Sequence, residues 1–109
     1  MQRMGLVIGI TAEGVAEYRR LHTAVWPSVI EAIGRGNIRN YSIYLREPEN
    51  LLFSYWEYHG DDYEGDMKRM FADPSVEEWM ALCGPLQAPL ESRAAGEWWA
   101  STEEVFHVP

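Results

Sequence analysis

Residues Ile38–His59 read IRNYSIYLREPENLLFSYWEYH. The first nine, Ile38–Arg46, are dense in β-branched and aromatic residues and read as a strand. Glu47-Pro48-Glu49-Asn50 supplies the turn, and Leu51–His59 returns as a second strand, so the pair reads as a hairpin. Along the second strand Leu51, Phe53 and Tyr55 alternate with Leu52, Trp56 and Tyr58. Side chains alternate across a strand, so both faces of this hairpin carry large apolar groups. A sheet covered on one side and wet on the other would alternate apolar with polar residues. Something is therefore expected to cover each face.

Working outward, Met4–Ile10 (MGLVIGI) reads as a strand with Leu6, Ile8 and Ile10 on one face. Thr11 is placed to cap a helix that runs through Val15, Tyr18, Leu21, His22 and Val25 at spacings of three and four. Trp26-Pro27 interrupts it, and Pro27–Ile33 forms a second helical piece ended by Gly34 and Gly36. Downstream of the hairpin, a helical stretch from Gly60 to about Ala72 is broken at Asp73-Pro74. Ser75 and Glu78 have capping-box spacing for a further helix that stops at Gly84-Pro85. Gln87–Ala95 reads as irregular, and Glu103–Val108 (EEVFHV) as a closing strand. The order is strand, helix, two strands, helix, strand. This is the α+β, ferredoxin-like βαββαβ arrangement, with residues 1–109 forming a single domain. Its helices cover one sheet face only. A second copy of the chain is the expected cover for the other, giving a homodimer with sheets face to face.

The chain has 109 residues, 47% hydrophobic and 24% charged, an ordinary globular composition. Five Trp, six Tyr and three Phe exceed what so small a core needs, so some are expected in a pocket or an interface. The net charge of −8 disfavours nucleic acid and anionic membrane surfaces as partners, and leaves a neutral small molecule unpenalised. Cys83 is the single cysteine, which suits a reducing, cytoplasmic setting. Met4–Ile10 is too short for a secretory leader, and no apolar run approaches the roughly 20 residues of a membrane helix.

Tyr18 and His22 lie four apart and share a helix face. An imidazole can give or take a proton near neutral pH, and a phenol beside it offers a hydroxyl to the same ligand. The plainer reading of His22 is a half-buried ring bonded to a carbonyl. Tyr41 and Tyr44 sit on opposite faces of one strand, so at most one enters a given pocket; packing alone would also account for either. Trp79 on the capped helix is core by default and a flat platform for a sugar ring otherwise. Trp98 and Trp99 are adjacent and point opposite ways in an extended chain. His22, His59 and His107 have no metal-ligand spacing, so no metal site is expected. Neither a phosphate-binding glycine loop nor a Gly-x-Ser-x-Gly elbow occurs. Cys83 reads as packed, and the acidic run from Asp61 to Asp66 as a solvated face.

Glu17-Tyr18-Arg19-Arg20-Leu21-His22 followed by Val25-Trp26-Pro27 resembles the first helix of the L-rhamnose mutarotase family. Asn40–Leu45, Asn50–Phe53 and the ending Glu103–Pro109 (EEVFHVP) are similar to that family in the same order. The resemblance implies a dimeric α/β barrel and an aldose 1-epimerisation without cofactor. It implies His22 as the proton donor, with Tyr18 and Tyr41 touching a monosaccharide. The family usually carries two adjacent tryptophans on the helix before the last strand. This chain has Glu78-Trp79-Met80, so Trp79 alone carries over, and Trp98-Trp99 stand available to replace the lost ring. L-Rhamnose is the expected substrate and L-fucose its competitor. A non-catalytic sugar-binding module and a cofactor-free, monooxygenase-like barrel are the other readings compatible with this architecture.

Overall fold

The computed structural model describes residues 1–109. Strand β1 (Gln2–Ile10) is followed by helices α1 (Val15–His22) and α2 (Pro27–Arg35), then by the hairpin β2 (Ile38–Arg46) and β3 (Leu51–Tyr58). Helices α3 (Tyr63–Ala72) and α4 (Pro74–Cys83) come next, and the short strands β4 (Gln87–Ala88) and β5 (Ala100–Ser101) end the sheet. The strand order is β2-β3-β1-β4, with β5 also on β1, and every pairing is antiparallel. The ferredoxin-like order read from the sequence is the order found.

Helix ends follow local chemistry. Thr11 accepts a hydrogen bond from the Gly14 N–H at 3.0 Å and starts a single 3₁₀ turn that feeds α1. That helix stops at His22, three residues before the expected Val25. Thr23 turns its hydroxyl back onto the Arg20 carbonyl at 2.7 Å, and the following residues run toward Trp26-Pro27, where the residue before proline is extended. The expected Ser75/Glu78 capping box does not form. Asp73 caps α4 instead, its carboxylate accepting from the Ser75 N–H at 2.9 Å, with Pro74 in the first turn where no N–H is needed.

Even-numbered residues of β1 and β3 face the helices. Ile8, Leu52, Trp56 and Tyr58 are buried there and join two adjoining core clusters. The odd-numbered residues face away, and on that side Tyr44 is 64% and Phe53 43% exposed. In β2 a bulge lies between Arg39 and Ser42, with Asn40 at φ 52°. A bulge inserts one residue and re-aims the strand. Ile38 is buried before it, and Tyr41, Ile43 and Leu45 turn the same way after it.

The fourth strand of the fold is divided. β4 pairs with Gly9 and Ile10, while β5 pairs with Leu6 and Val7 on the same edge of β1. The expected closing strand Glu103–Val108 is therefore displaced: the ladder forms at Ala100–Ser101 and ends with the Thr102 N–H on the Gly5 carbonyl at 3.1 Å. Beyond it, Arg3 still reaches Glu104 at 2.8 Å, but Val105 and Phe106 are 87% and 80% exposed. No ladder extends into this apolar ending.

Candidate active site

The curled sheet and its helices enclose an open cleft of about 1220 Å³ between the concave face, α1, α4 and the loop before β5. Its walls are mostly apolar, and Tyr18, His22, Tyr41 and Trp79 all line it. The four residues singled out in the sequence thus share one cavity. Tyr44 points away from it, as the alternation argument required for one of the two strand tyrosines.

His22 is half-buried at the last turn of α1. Its Nδ1 lies 2.8 Å from the Tyr18 carbonyl oxygen. A carbonyl only accepts, so Nδ1 carries the proton and donates, leaving Nε2 for a ligand. The carbonyl-bonded reading and the proton-transfer reading of His22 are therefore compatible, one for each nitrogen. The ring is further held by Tyr18, stacked at 4.2 Å between centroids, and by the edge of Trp79 at 5.3 Å. Trp26 closes on Trp79 at 5.2 Å. Trp79 is buried and serves as core and as cleft wall at once.

Tyr18 is buried in the cleft that Gln87 also lines. Burial pushes its pKa well above the ordinary phenol value, and neighbouring Cys83 and Tyr41 add to that. Tyr41 is 41% exposed as a whole residue, and burial of its hydroxyl raises its pKa to about 12. Burial likewise raises the Cys83 thiol to about 11. All three groups stay protonated at neutral pH. The tyrosines then act as neutral hydroxyls, and Cys83 is a packed thiol rather than a nucleophile.

Gln87, Trp98 and Trp99 also line the cleft. Trp98 lines it at 42% exposure, and its indole N–H donates to the Gln87 Oε1 at 2.7 Å. Trp99 lies behind it against the core cluster that holds Tyr18 and Trp79. Gln87 was not singled out from the sequence. A lone glutamine in a stretch that reads as irregular has no spacing or partner to mark it. No three His, Cys, Asp or Glu side chains converge in a way that could hold a metal ion. No helix is long and apolar enough to cross a membrane.

The family model for L-rhamnose mutarotase matches residues 3–108. This chain belongs to the L-rhamnose mutarotase family. It is 24% identical over 106 residues to the L-rhamnose mutarotase of Tolumonas auensis, covering 97% of this chain and 81% of that one. It is 33% identical over 63 residues to the L-rhamnose mutarotase of Phocaeicola vulgatus, covering 58% of each chain. Among solved structures, the L-rhamnose mutarotase of Formosa agariphila superposes over the full length of both chains with a TM-score of 0.76 at 18% identity. A putative antibiotic biosynthesis monooxygenase from Deinococcus radiodurans superposes over 100% of this chain and 97% of that one with a TM-score of 0.59 at 16% identity. At such identities the two superpositions speak to the fold.

Proposed function

We propose that this chain is an aldose 1-epimerase, interconverting the α and β anomers of a 6-deoxy-hexose, with L-rhamnose as substrate and L-fucose as the competitor. The observation that carries the reading is His22: its Nδ1–H is tied to a backbone carbonyl, and its Nε2 is left to an aromatic cleft. Family membership sets the reaction class, and the cleft has the mixed aromatic and hydroxyl lining that suits a sugar ring.

Mutarotation opens a cyclic hemiacetal and recloses it after the C1 carbonyl turns. In the protonated state, Nε2 of His22 gives its proton to the ring oxygen as the C1–O5 bond breaks. The anomeric hydroxyl gives its proton to a water molecule in the open cleft as its oxygen becomes the carbonyl, and that water returns a proton on closure. Closure on the other carbonyl face reverses both transfers, so nothing is oxidised or reduced and no covalent bond to the protein forms. Nδ1 keeps its proton on the Tyr18 carbonyl throughout, which holds the ring still. Tyr18 and Tyr41 hold sugar hydroxyls, and Trp79 supplies the apolar wall. A positioned general acid or base contributes about 10²–10⁴-fold each.

The working form is a homodimer, a single domain per subunit, acting in the cytoplasm on a free monosaccharide. The convex sheet face carries Tyr44 and Phe53 directly opposite each other with Val7 alongside, an apolar row without cover in one chain. A second copy covers that row and the exposed ending at Val105 and Phe106.

The test is NMR saturation transfer between the α and β anomeric signals of L-rhamnose and of L-fucose. Faster exchange of one sugar with the wild-type chain is the expected result. Sugar binding without faster exchange would replace this reading with the non-catalytic binding module. A chain that neither binds nor accelerates either sugar would end the sugar reading.

A further inference from the structure

We propose that Trp98, on the loop between β4 and β5, is the aromatic platform on which the C–H face of the bound sugar ring rests, while Trp79 serves as the inner wall beside His22. The inference rests on the sugar reading given above and adds to it the residue that grips the ring.

The chain has five tryptophans, and burial sorts them. Trp56 and Trp79 expose only 6% and 7% of their surface. Trp26 and Trp99 are partly buried against the core cluster that contains Tyr18. Trp98 alone is exposed, at 42%, and it lines the cleft. An aromatic face is electron-rich, and the weakly positive C–H groups of a pyranose settle on it only where that face is free. Trp79 has little face to give, because His22 and Trp26 already meet it edge-on at 5.3 and 5.2 Å. A tryptophan present for packing alone would be buried as the other four are. Tyr41 and Met80 are the neighbours in this role, each partly exposed and each on the cleft wall.

The exposed ring is also held. Its N–H donates to Gln87 Oε1 at 2.7 Å, and Gln87 is buried on β4, which pairs with Gly9 and Ile10. Two residues after Trp98, Ala100 enters β5 and pairs with Val7. Between these two anchors the loop is braced on itself. Arg93 donates to the carbonyls of Leu90 and Glu97, both at 2.9 Å, and the Glu97 carboxylate accepts from the Ala94 N–H at 3.0 Å. A ring ordered before the ligand arrives loses little side-chain freedom on binding. An indole has a single donor, and here the protein uses it, so the ring face and not the polar edge is what the sugar meets.

The test joins a contact probe to kinetics. The chain labelled with 5-fluorotryptophan gives a fluorine NMR signal for each tryptophan, and the signal missing from Trp98→Phe is that of Trp98. It is expected to shift saturably on titration with L-rhamnose or L-fucose. Trp98→Ala removes the platform, whereas Trp98→Phe keeps a ring face and loses only the bond to Gln87 and the larger area. For anomer exchange, the KM of Trp98→Ala is expected to rise about 10-fold with kcat changed by less than about 3-fold, and Trp98→Phe to stay within about 3-fold of the wild-type KM. A Trp98 signal unmoved at saturating sugar overturns the proposal, and this readout needs no variant beyond the assignment. Trp98→Ala at wild-type KM overturns it too, as does Trp98→Phe impaired as much as Trp98→Ala. A wild-type chain that binds a sugar without accelerating its exchange overturns the mutarotase reading instead, and the fluorine titration with that sugar still decides Trp98. A wild-type chain that binds neither sugar overturns both.

Discussion

Replacing His22 separates chemistry from packing more cleanly than any other change. Its side chain makes three contacts whose worth is estimable: the Nδ1 hydrogen bond to the Tyr18 carbonyl at 2.8 Å, the stack on Tyr18 at 4.2 Å and the edge contact with Trp79 at 5.3 Å. A net hydrogen bond contributes about 0.5–1.5 kcal/mol, and an aromatic pair about the same beyond its area. Partial exposure of the ring pulls the total toward the low end, so His22→Ala is expected to lose about 2 kcal/mol. Domains of this size are stable by about 5–15 kcal/mol, and the variant stays folded. His22→Phe keeps a ring against Tyr18 and Trp79 and loses only the nitrogens, so its stability loss is expected to be about half as large. Activity behaves differently: both variants lack Nε2 and both are expected to lose about 10²–10⁴-fold in exchange rate. Urea unfolding followed by tryptophan fluorescence gives the stabilities, and saturation transfer on the saturating sugar gives the rates. Folded His22→Phe exchanging anomers at half the wild-type rate or better would refute the assignment of the proton to His22.

Gly9→Ala would place a methyl 2.5 Å from the Ala88 carbonyl oxygen, which is backbone and cannot step aside alone, and a loss of about 1–3 kcal/mol in thermal or urea unfolding is expected. Asp66 accepts from the Tyr58 hydroxyl at 2.6 Å, from the Asn37 amide at 2.9 Å and from Arg69 at 2.5 Å, and these hold its carboxyl at about 2 against 3.8 in the unfolded chain. A carboxyl whose folded pKa is depressed stabilises the fold above its unfolded value, and the contribution fades as pH falls from about 4 toward 2; Asp66→Asn is expected to flatten stability against pH across that window. Phe53→Glu puts a charge in the centre of the convex apolar row, and sedimentation velocity is expected to find a monomer where the wild type sediments as a dimer.

Much of the fold was legible because local patterns and tertiary placement agree. The hairpin from Ile38, the strand ending at Ile10 and the break at Trp26-Pro27 each rest on alternation or proline sterics, which act over a few residues. The strand forecast for Glu103–Val108 was wrong in place because a strand is defined by its partner. Ala100 and Ser101 form the ladder with β1, and although Arg3 still reaches Glu104 beyond it, the more strand-like EEVFHV forms no strand ladder. The capping box at Ser75 lost to Asp73 because an aspartate just before Pro74 already satisfies the first turn of α4.

For the site, the sequence by itself determined that Tyr18 and His22 share a helix face, since four residues make about one turn, and that one strand tyrosine faces in while the other faces out. Which tyrosine faces in depended on the bulge at Asn40. Counting alternation from buried Ile38 without it would have turned Tyr44 inward, and the one extra residue gave that place to Tyr41. Tertiary structure alone brought β4 beside β1 and folded the loop back so that Trp98 meets Gln87 across 11 positions of chain. Those contacts join residues with no common periodicity. Only the closing of the sheet around its helices, driven by burial of Ile8, Leu52 and their neighbours, puts them within a hydrogen bond of one another.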